Sequence, residues 1–198
     1  MLPEGLRLLD GYLDAPAQAR LLATLREVAR AAPPRRMEAA RGRLMSVAMT
    51  SAGRVGWVSD RTGYRYEPRQ PSGDPWPAIP APALAIWRAV SGWPADPDCL
   101  LLNQYREGAR LGLHRDEDEK EFDAPVVSVS LGDPARFRYG GLDRRDPTKS
   151  FELRSGDVLV MGGPARLIWH GVDRILFGRS PLLEGGGRLN LTMRVVRD

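Results

Sequence analysis

The second half of the chain is a succession of short apolar runs that glycine and proline residues separate. Runs of this length, with turn residues between them, are typical of β-strands. They favour a sandwich, a barrel or a jelly roll over a parallel sheet with crossover helices. The runs span residues 99–105, 126–131, 136–139, 157–161, 166–169 and 188–196.

Two amphipathic helices are predicted in the first half of the chain. The longer one spans residues 14–32, where apolar residues recur at helical spacing and Asp14 is placed to cap the first turn. The shorter one spans residues 82–91, and Gly92 can end it. Together with the strand-rich second half, these helices predict an α+β protein.

Length, apolar runs, cysteine content and net charge limit the classes of protein to which this chain can belong. At 198 residues the chain has room for one hydrophobic core, so we expect a single structural unit. No apolar run approaches the roughly 20 residues of a membrane-spanning helix, which predicts a cytoplasmic protein without a membrane segment. A single cysteine, Cys99, excludes an intrachain disulfide and a cysteine-rich zinc site. The net charge of +4 and the pI near 9.6 favour a polyanionic partner.

The two histidines of the chain can contribute to one metal site. The first stands in His114-Arg115-Asp116, and residues two apart in an extended segment point the same way. The second, His170, belongs to a later part of the strand-rich half. Two imidazoles and one carboxylate on one face of an octahedron leave three positions open, which suits Fe(II) that binds a cosubstrate and oxygen. A solvated loop histidine is the alternative interpretation of His114.

The last predicted strand has one apolar and one strongly polar face. Its polar face is either half exposed to water or binds a small dianion, because arginine forks match carboxylate oxygens in bidentate pairs. Asn103 and Tyr105 show the same two-residue spacing in an otherwise apolar run, where the alternative is a strand end that reaches water. The polar face of the last strand consists of Arg188, Asn190, Thr192 and Arg194.

Several short motifs follow one another along the chain from about residue 40 onward. They are MSVAMT at 45–50, GYRY at 63–66, LNQY at 102–105, GLHRDEDE at 112–119, APVVSVSLG at 124–132, YGGL at 139–142, SGDV at 155–158, WHGV at 169–172 and RLNLTMR at 188–194. In their order and spacing these motifs resemble the AlkB family of alkylation-repair dioxygenases.

The resemblance implies a double-stranded β-helix (jelly roll) core with N-terminal helices and a nucleotide-recognition lid. It assigns the helices and the lid to an N-terminal extension, residues 1–96, and the catalytic core to residues 97–198, within one structural unit. The iron would be held by His114, Asp116 and His170. Arg188 would bind the distal carboxylate of 2-oxoglutarate. The other residues that hold this cosubstrate would be Asn103, Tyr105, Asn190 and Arg194.

For the lid, the resemblance implies aromatic residues that stack on a flipped nucleotide, namely Trp57, Tyr64 and Tyr66. Asp118 would be a carboxylate beside a cationic base. Further substrate-contacting positions would be Met49, Arg61 and Arg144. For each position an ordinary alternative stays open, such as core packing for the tryptophan, strand residues for the tyrosines and solvated charges for the arginines.

The activity that the resemblance implies is oxidative dealkylation of nucleic-acid bases such as 1-methyladenine and 3-methylcytosine. It consumes 2-oxoglutarate and O2 and releases formaldehyde, succinate and CO2. The partner would be alkylated single-stranded or flipped-base DNA, or RNA, and the enzyme would act as a monomer. Three alternatives stay open: a related hydroxylase or demethylase acting on a protein or small metabolite, a zinc hydrolase with the same ligands, and a non-catalytic nucleic-acid-binding module.

Overall fold

A computed structural model describes residues 2–39 and 42–197 of the chain. Its helices are α1 (Ala15–Ala31) and α2 (Ala81–Val90). Its strands are β1 (Leu6–Leu9), β2 (Arg35–Glu38), β3 (Leu44–Gly53), β4 (Gly56–Asp60), β5 (Gly63–Glu67), β6 (Cys99–Tyr105), β7 (Leu111–His114), β8 (Val126–Gly132), β9 (Ala135–Tyr139), β10 (Lys149–Leu153), β11 (Val158–Met161), β12 (His170–Ile175) and β13 (Arg188–Arg194).

Most of the strands form two antiparallel sheets. The larger sheet has seven strands in the order β1-β11-β8-β13-β6-β3-β2, and the smaller has four in the order β10-β9-β12-β7. Residues of both sheets line one cavity of about 330 Å³, so the sheets enclose a space between them. Together with the two helices, this arrangement confirms the predicted α+β class and jelly-roll core.

Strands from both halves of the chain belong to the larger sheet. β1 pairs with β11, and β3 pairs with β6. The segments 1–96 and 97–198 are therefore joined through a common sheet. Among the described residues, the hairpin of β4 and β5 forms a separate two-stranded sheet.

The two helices pack on the face of the larger sheet that is turned away from the cavity. The Asp14 carboxylate accepts a hydrogen bond from the N–H of Ala17 at 2.8 Å, so α1 has the predicted N-cap. Leu25 of α1 and Trp87 of α2 share one buried cluster with Leu191 of β13. In the part of the chain that the structure describes, neither helix is long and apolar enough to cross a membrane.

The predicted strand at residues 166–169 is wrong. These residues follow a 3₁₀ turn at Gly163–Ala165, in which Arg166 N–H bonds back to the carbonyl of Gly163 at 3.0 Å. The strand begins only at His170. The glycine and proline of the turn favour this local closure, and the Arg166 side chain is held inside the fold by partners described below.

Candidate active site

Two strand ends bring the histidines together. His114 is the last residue of β7, His170 is the first residue of β12, and the two are cross-strand partners. The centroids of their rings lie 4.5 Å apart. The Asp116 carboxylate lies between them, with each histidine Nε2 3.8 Å from one of its oxygens. The structure thus gathers all three expected metal ligands, with one ligand atom of each within 4.8 Å of the others.

Backbone carbonyls orient both imidazole rings. The Nδ1 atom of His114 lies 2.9 Å from the carbonyl oxygen of Gly112, and that of His170 lies 3.0 Å from the carbonyl oxygen of Ile168. Because a carbonyl only accepts, each Nδ1 carries a proton, which leaves Nε2 as the nitrogen that can coordinate a metal. Contacts of this kind fix the tautomer and the direction of metal-binding histidines.

Burial sets the charge states of the cluster. Burial is the main cause that lowers the pKa of His170, and the neighbouring His114 is the second. The pKa falls to about 4, so the His170 ring is neutral at physiological pH. Burial opposes the ionisation of Asp116, but Arg194 and the two histidines outweigh it and hold the pKa of that carboxyl below its usual range. A neutral imidazole and an ionised carboxylate are the forms that coordinate a metal.

This donor set fits a divalent metal ion. The Oδ2 atom of Asp116 is buried and has no hydrogen-bond partner among the described residues. A buried carboxylate oxygen without a partner is costly unless something binds it. Two imidazole nitrogens and one carboxylate match the two-histidine, one-carboxylate arrangement of Fe(II) oxygenases, which leaves positions open for other ligands.

The polar face of β13 is buried, so the half-exposed alternative is wrong. β13 lies between β8 and β6 near the centre of the larger sheet. Its apolar residues Leu191 and Met193 pack into the core on the helix side. Alternation along the strand turns the other residues into the cavity. These cavity-facing residues are Arg188, Asn190, Thr192 and Arg194.

Arg188 is a buried cation that forms no ion pair with any residue that the structure describes. Its side chain is 1% exposed, and its Nη2 atom donates to the Ser130 hydroxyl at 2.7 Å. Its Nε and Nη1 atoms have no hydrogen-bond partner among the described residues. Burial lowers the pKa of Arg188 to about 10, which still leaves it charged at neutral pH. A buried guanidinium with two free donors indicates a binding site for an anion.

The two cavity asparagines differ in what they can offer a ligand. The Asn190 side chain donates to the Ser128 hydroxyl at 2.8 Å and to the Val129 carbonyl at 3.1 Å. Its oxygen accepts from Asn103 and from Thr192, both at 3.2 Å. These four bonds use the full capacity of the Asn190 amide. Asn103 keeps a free amide oxygen, so Asn190 positions Asn103 and only Asn103 has capacity to spare.

This difference predicts unequal stability costs. Asn190→Ala removes four buried hydrogen bonds and is expected to lower the free energy of unfolding by about 2–3 kcal/mol, whereas Asn103→Ala costs about 1 kcal/mol. Urea unfolding of the two variants without cosubstrate measures both values. Equal costs, or a larger cost for Asn103→Ala, would contradict the assignment of Asn190 as the structural partner.

Arg194 belongs with the metal ligands in this structure. Its Nη2 atom donates to Oδ1 of Asp116 at 2.9 Å, and its Nε atom lies 3.2 Å from Oε1 of Glu119. Two carboxylates therefore compensate the Arg194 charge. The sequence places Arg194 among the residues that hold the cosubstrate, which stays a prediction; in the structure its contacts are with Asp116 and Glu119.

The hairpin of β4 and β5 closes one side of the cavity. Trp57 and Tyr64 stack with their ring centroids 5.4 Å apart. The Trp57 indole N–H donates to Asp118 at 3.0 Å, and the Tyr66 hydroxyl donates to the buried Glu119. Burial raises the pKa of Asp118, and the neighbouring Glu119 and Asp116 add to this. The structure thus brings the expected aromatic residues and Asp118 to one wall, next to the metal ligands.

Two of the three other expected substrate residues line the cavity, and one does not. Met49 is buried in its wall, and Arg144 lies over the Trp169 ring with its guanidinium carbon 5.0 Å from the ring centroid. Arg61 does not line the cavity, because its exposed side chain pairs with Glu38 at 3.2 Å, and its expected contact with the substrate stays a prediction.

Sequence reasoning missed several residues of the site. A lone charge in the apolar run 164–169 is a signal for a buried functional arginine, and Arg166 fits it. Glu119 had no such signal, because it stands in an acidic stretch that looks solvated. The apolar wall residues alternate as ordinary core strands do. Those that were not anticipated are Met45, Leu101, Leu111, Leu113, Phe137, Leu153, Leu159, Met161, Trp169 and Val172.

A family model described as the 2OG-Fe(II) oxygenase superfamily matches residues 5–194 of the chain. A Caulobacter vibrioides protein named alpha-ketoglutarate-dependent dioxygenase AlkB homolog is 51% identical over 188 residues. That match covers 94% of this chain and 86% of the relative. The family match includes the His-Asp-His cluster and the last strand.

Two further similarities concern proteins named ALKBH1. The nucleic acid dioxygenase ALKBH1 of Mus musculus is 32% identical over 129 residues, which cover 62% of this chain and 33% of that protein. The solved structure of OsALKBH1 superposes with a TM-score of 0.80 at 31% identity. That superposition covers 98% of this chain and 99% of the other.

Proposed function

Because this chain belongs to the 2OG-Fe(II) oxygenase superfamily, and within it to the AlkB family, we propose that it oxidatively removes alkyl groups from nucleic-acid bases. One observation carries the proposal: a single cavity holds a His-Asp-His cluster, an unpaired buried arginine and a stacked aromatic wall. These features match the needs of a metal, a dicarboxylate and a planar base in turn.

The proposed cofactors are Fe(II), 2-oxoglutarate and O2. His114, Asp116 and His170 would hold the iron, each histidine through Nε2 and the aspartate through a carboxylate oxygen. When bound, the iron and its cosubstrate supply the oxidising power that hydroxylates the alkyl carbon. A hydroxymethyl group on a ring nitrogen is unstable and leaves as formaldehyde, which restores the base; succinate and CO2 are the coproducts.

Arg188 supplies the main attraction for 2-oxoglutarate in this proposal. Its two free N–H groups are placed to hold the distal carboxylate, and the buried setting excludes competing water. Tyr105 stands opposite Arg188 in the register of β6 and β13. Burial raises the pKa of Tyr105 to about 12, so its hydroxyl keeps the proton it can donate.

The aromatic wall is the proposed base pocket. A base on the Trp57–Tyr64 pair gains roughly 1–3 kcal/mol of stacking, which offsets the few kcal/mol needed to extrude it from a duplex. Asp118 beside this pair gives the pocket a carboxylate that favours a cationic ring such as 1-methyladenine or 3-methylcytosine. The name of the mouse relative, a nucleic acid dioxygenase, and the net charge of +4 support a nucleic-acid partner.

The substrate form we propose is a single strand, or a base flipped from a duplex, in DNA or RNA. The enzyme acts as a monomer in this proposal. Two alternatives lose support. A zinc hydrolase would leave the buried Arg188 charge without a counter-ion, and a binding module without catalysis would have no use for the gathered ligands.

Coupled turnover of the cosubstrate tests the proposal. Enzyme, Fe(II), ascorbate and 2-oxoglutarate are incubated with a methylated oligonucleotide, its unmethylated twin, a peptide mixture or free metabolites, and succinate is measured. We expect the methylated oligonucleotide to stimulate succinate formation most. Stimulation by peptides or metabolites alone would keep the dioxygenase chemistry and overturn the nucleic-acid substrate.

The substitution Trp57→Ala tests the base pocket separately from the metal and cosubstrate sites. Trp57→Ala is expected to lower kcat/KM for the methylated oligonucleotide by about 5- to 150-fold, because stacking worth roughly 1–3 kcal/mol is lost. The slow decarboxylation of 2-oxoglutarate without substrate should stay nearly unchanged, since Trp57 contacts Asp118 and Tyr64 rather than the metal ligands.

Two variants control this measurement. Trp57→Phe keeps an aromatic face but loses the indole N–H, so it should retain more activity than Trp57→Ala. Tyr12→Ala removes an exposed aromatic residue outside the cavity and should change neither rate. A Trp57→Ala enzyme that repairs the oligonucleotide at the wild-type rate would show that the pair is a packing element only.

A further inference from the structure

The segment between β7 and β8 carries key side chains of the site without regular structure of its own. Residues 115–125 form neither helix nor strand. Yet this segment supplies Asp116 to the metal cluster and Asp118 to the aromatic wall. Because strand pairing does not fix its backbone, other contacts must hold Asp116 in place.

One buried arginine supplies three of these contacts. Arg166 is 3% exposed, and its Nη1 atom donates to the backbone carbonyl of Asp116 at 2.8 Å. Its Nε atom donates to the carbonyl of Ala124 at 3.0 Å, and its Nη2 atom donates to the Glu119 carboxylate at 3.2 Å. The guanidinium therefore forms hydrogen bonds with the segment near its beginning, in its middle and near its end.

The location of Arg166 in the chain also links the segment 115–125 to the second histidine of the cluster. It stands four residues before His170, between the 3₁₀ turn and β12. Its contacts therefore join the backbone that leads to one metal ligand to the backbone of another. Its ion-pair partner Glu119 also accepts from the lid residue Tyr66, so the same buried cluster reaches the base pocket.

We propose that Arg166, with Glu119 as its buried counter-ion, is a positioning residue that holds Asp116 in the geometry the metal requires. A planar guanidinium can serve three acceptors in fixed directions, whereas an ammonium is a single point charge and cannot reproduce the fork. The inference rests on the metal site of the proposed function and is independent of the nucleic-acid substrate.

Co(II) titration of the metal-free protein tests this role without turnover. The affinity is measured by calorimetry and by the visible absorption of bound Co(II), well below the melting temperature of each variant. Arg166→Lys is expected to weaken Co(II) binding by about 10- to 100-fold, the range found when partners of metal ligands are removed. Glu119→Gln should weaken it in the same direction by a smaller factor.

Arg154→Lys is the matched control, because that arginine is exposed and pairs with Glu152 at 3.1 Å away from the cavity. A folded Arg166→Lys protein with wild-type Co(II) affinity would overturn the proposal, even if its melting temperature fell. If Arg166→Lys does not fold, wild-type affinity in Glu119→Gln overturns it instead. Failure of the wild-type protein to bind Co(II) would refute the metal site itself.

Discussion

Asp116→Ala is expected to reduce dealkylation of a methylated oligonucleotide to background while the protein remains folded. The substitution removes the one anionic ligand of the cluster, and two neutral imidazoles alone hold a divalent ion weakly. The fold should survive, because Arg194 keeps a carboxylate partner in Glu119, 3.2 Å from its Nε atom. Formaldehyde release measures the activity, and thermal unfolding followed by circular dichroism measures the fold.

Asp96→Ala is the control for this experiment. Asp96 is a surface carboxylate whose partner is Arg88 at 2.6 Å, and it lies outside the cavity lining. Its removal should change neither activity nor metal content. Turnover by the folded Asp116→Ala enzyme near the wild-type rate would remove Asp116 from the metal site.

Arg188→Ala is expected to raise the KM for 2-oxoglutarate by about 10- to 150-fold. Hydrogen bonds to a charged group contribute about 1.5–3 kcal/mol, and here the bound carboxylate would be left without its partner in a buried site. Initial rates over a range of 2-oxoglutarate concentrations give this constant. Arg188→Lys should rescue binding only in part, because lysine keeps the charge but not the bidentate geometry.

The same measurement on Arg145→Ala serves as the control, since that arginine is exposed and pairs with Asp143 at 3.0 Å. A KM that is unchanged in Arg188→Ala would mean that another cation binds the cosubstrate. Arg194 would then be the next candidate, although Asp116 and Glu119 already compensate its charge.

The parts of the fold that could be predicted are those with a strong local pattern. The cap at Asp14 and the apolar run of β6 are local signals, and both elements form where the sequence predicts them. The prediction of a strand at residues 166–169 is wrong, because these residues follow a 3₁₀ turn and the strand begins only at His170. Periodicity alone cannot distinguish a strand from a turn that buries the same residues.

Residue types and spacing identified the His-Asp-His cluster, but they could not show which polar groups are already satisfied. Arg188 and Arg194 look equivalent in the sequence of β13. Only the fold shows that Arg194 meets two carboxylates while Arg188 keeps two free donors. The contacts of Arg166 likewise depend on a segment 42 to 50 residues away in the chain, which no local pattern encodes.

The most direct test of the proposed function is the intact mass of an oligonucleotide that carries one 1-methyladenine or one 3-methylcytosine. It is measured after incubation with enzyme, Fe(II), 2-oxoglutarate, ascorbate and O2, in DNA and in RNA. We expect the mass to fall by one methylene group, with formaldehyde and succinate formed in equal amounts, and Asp116→Ala to abolish the change. An unchanged mass for both lesions in DNA and RNA, while a peptide or free metabolite is hydroxylated, would contradict the proposed function.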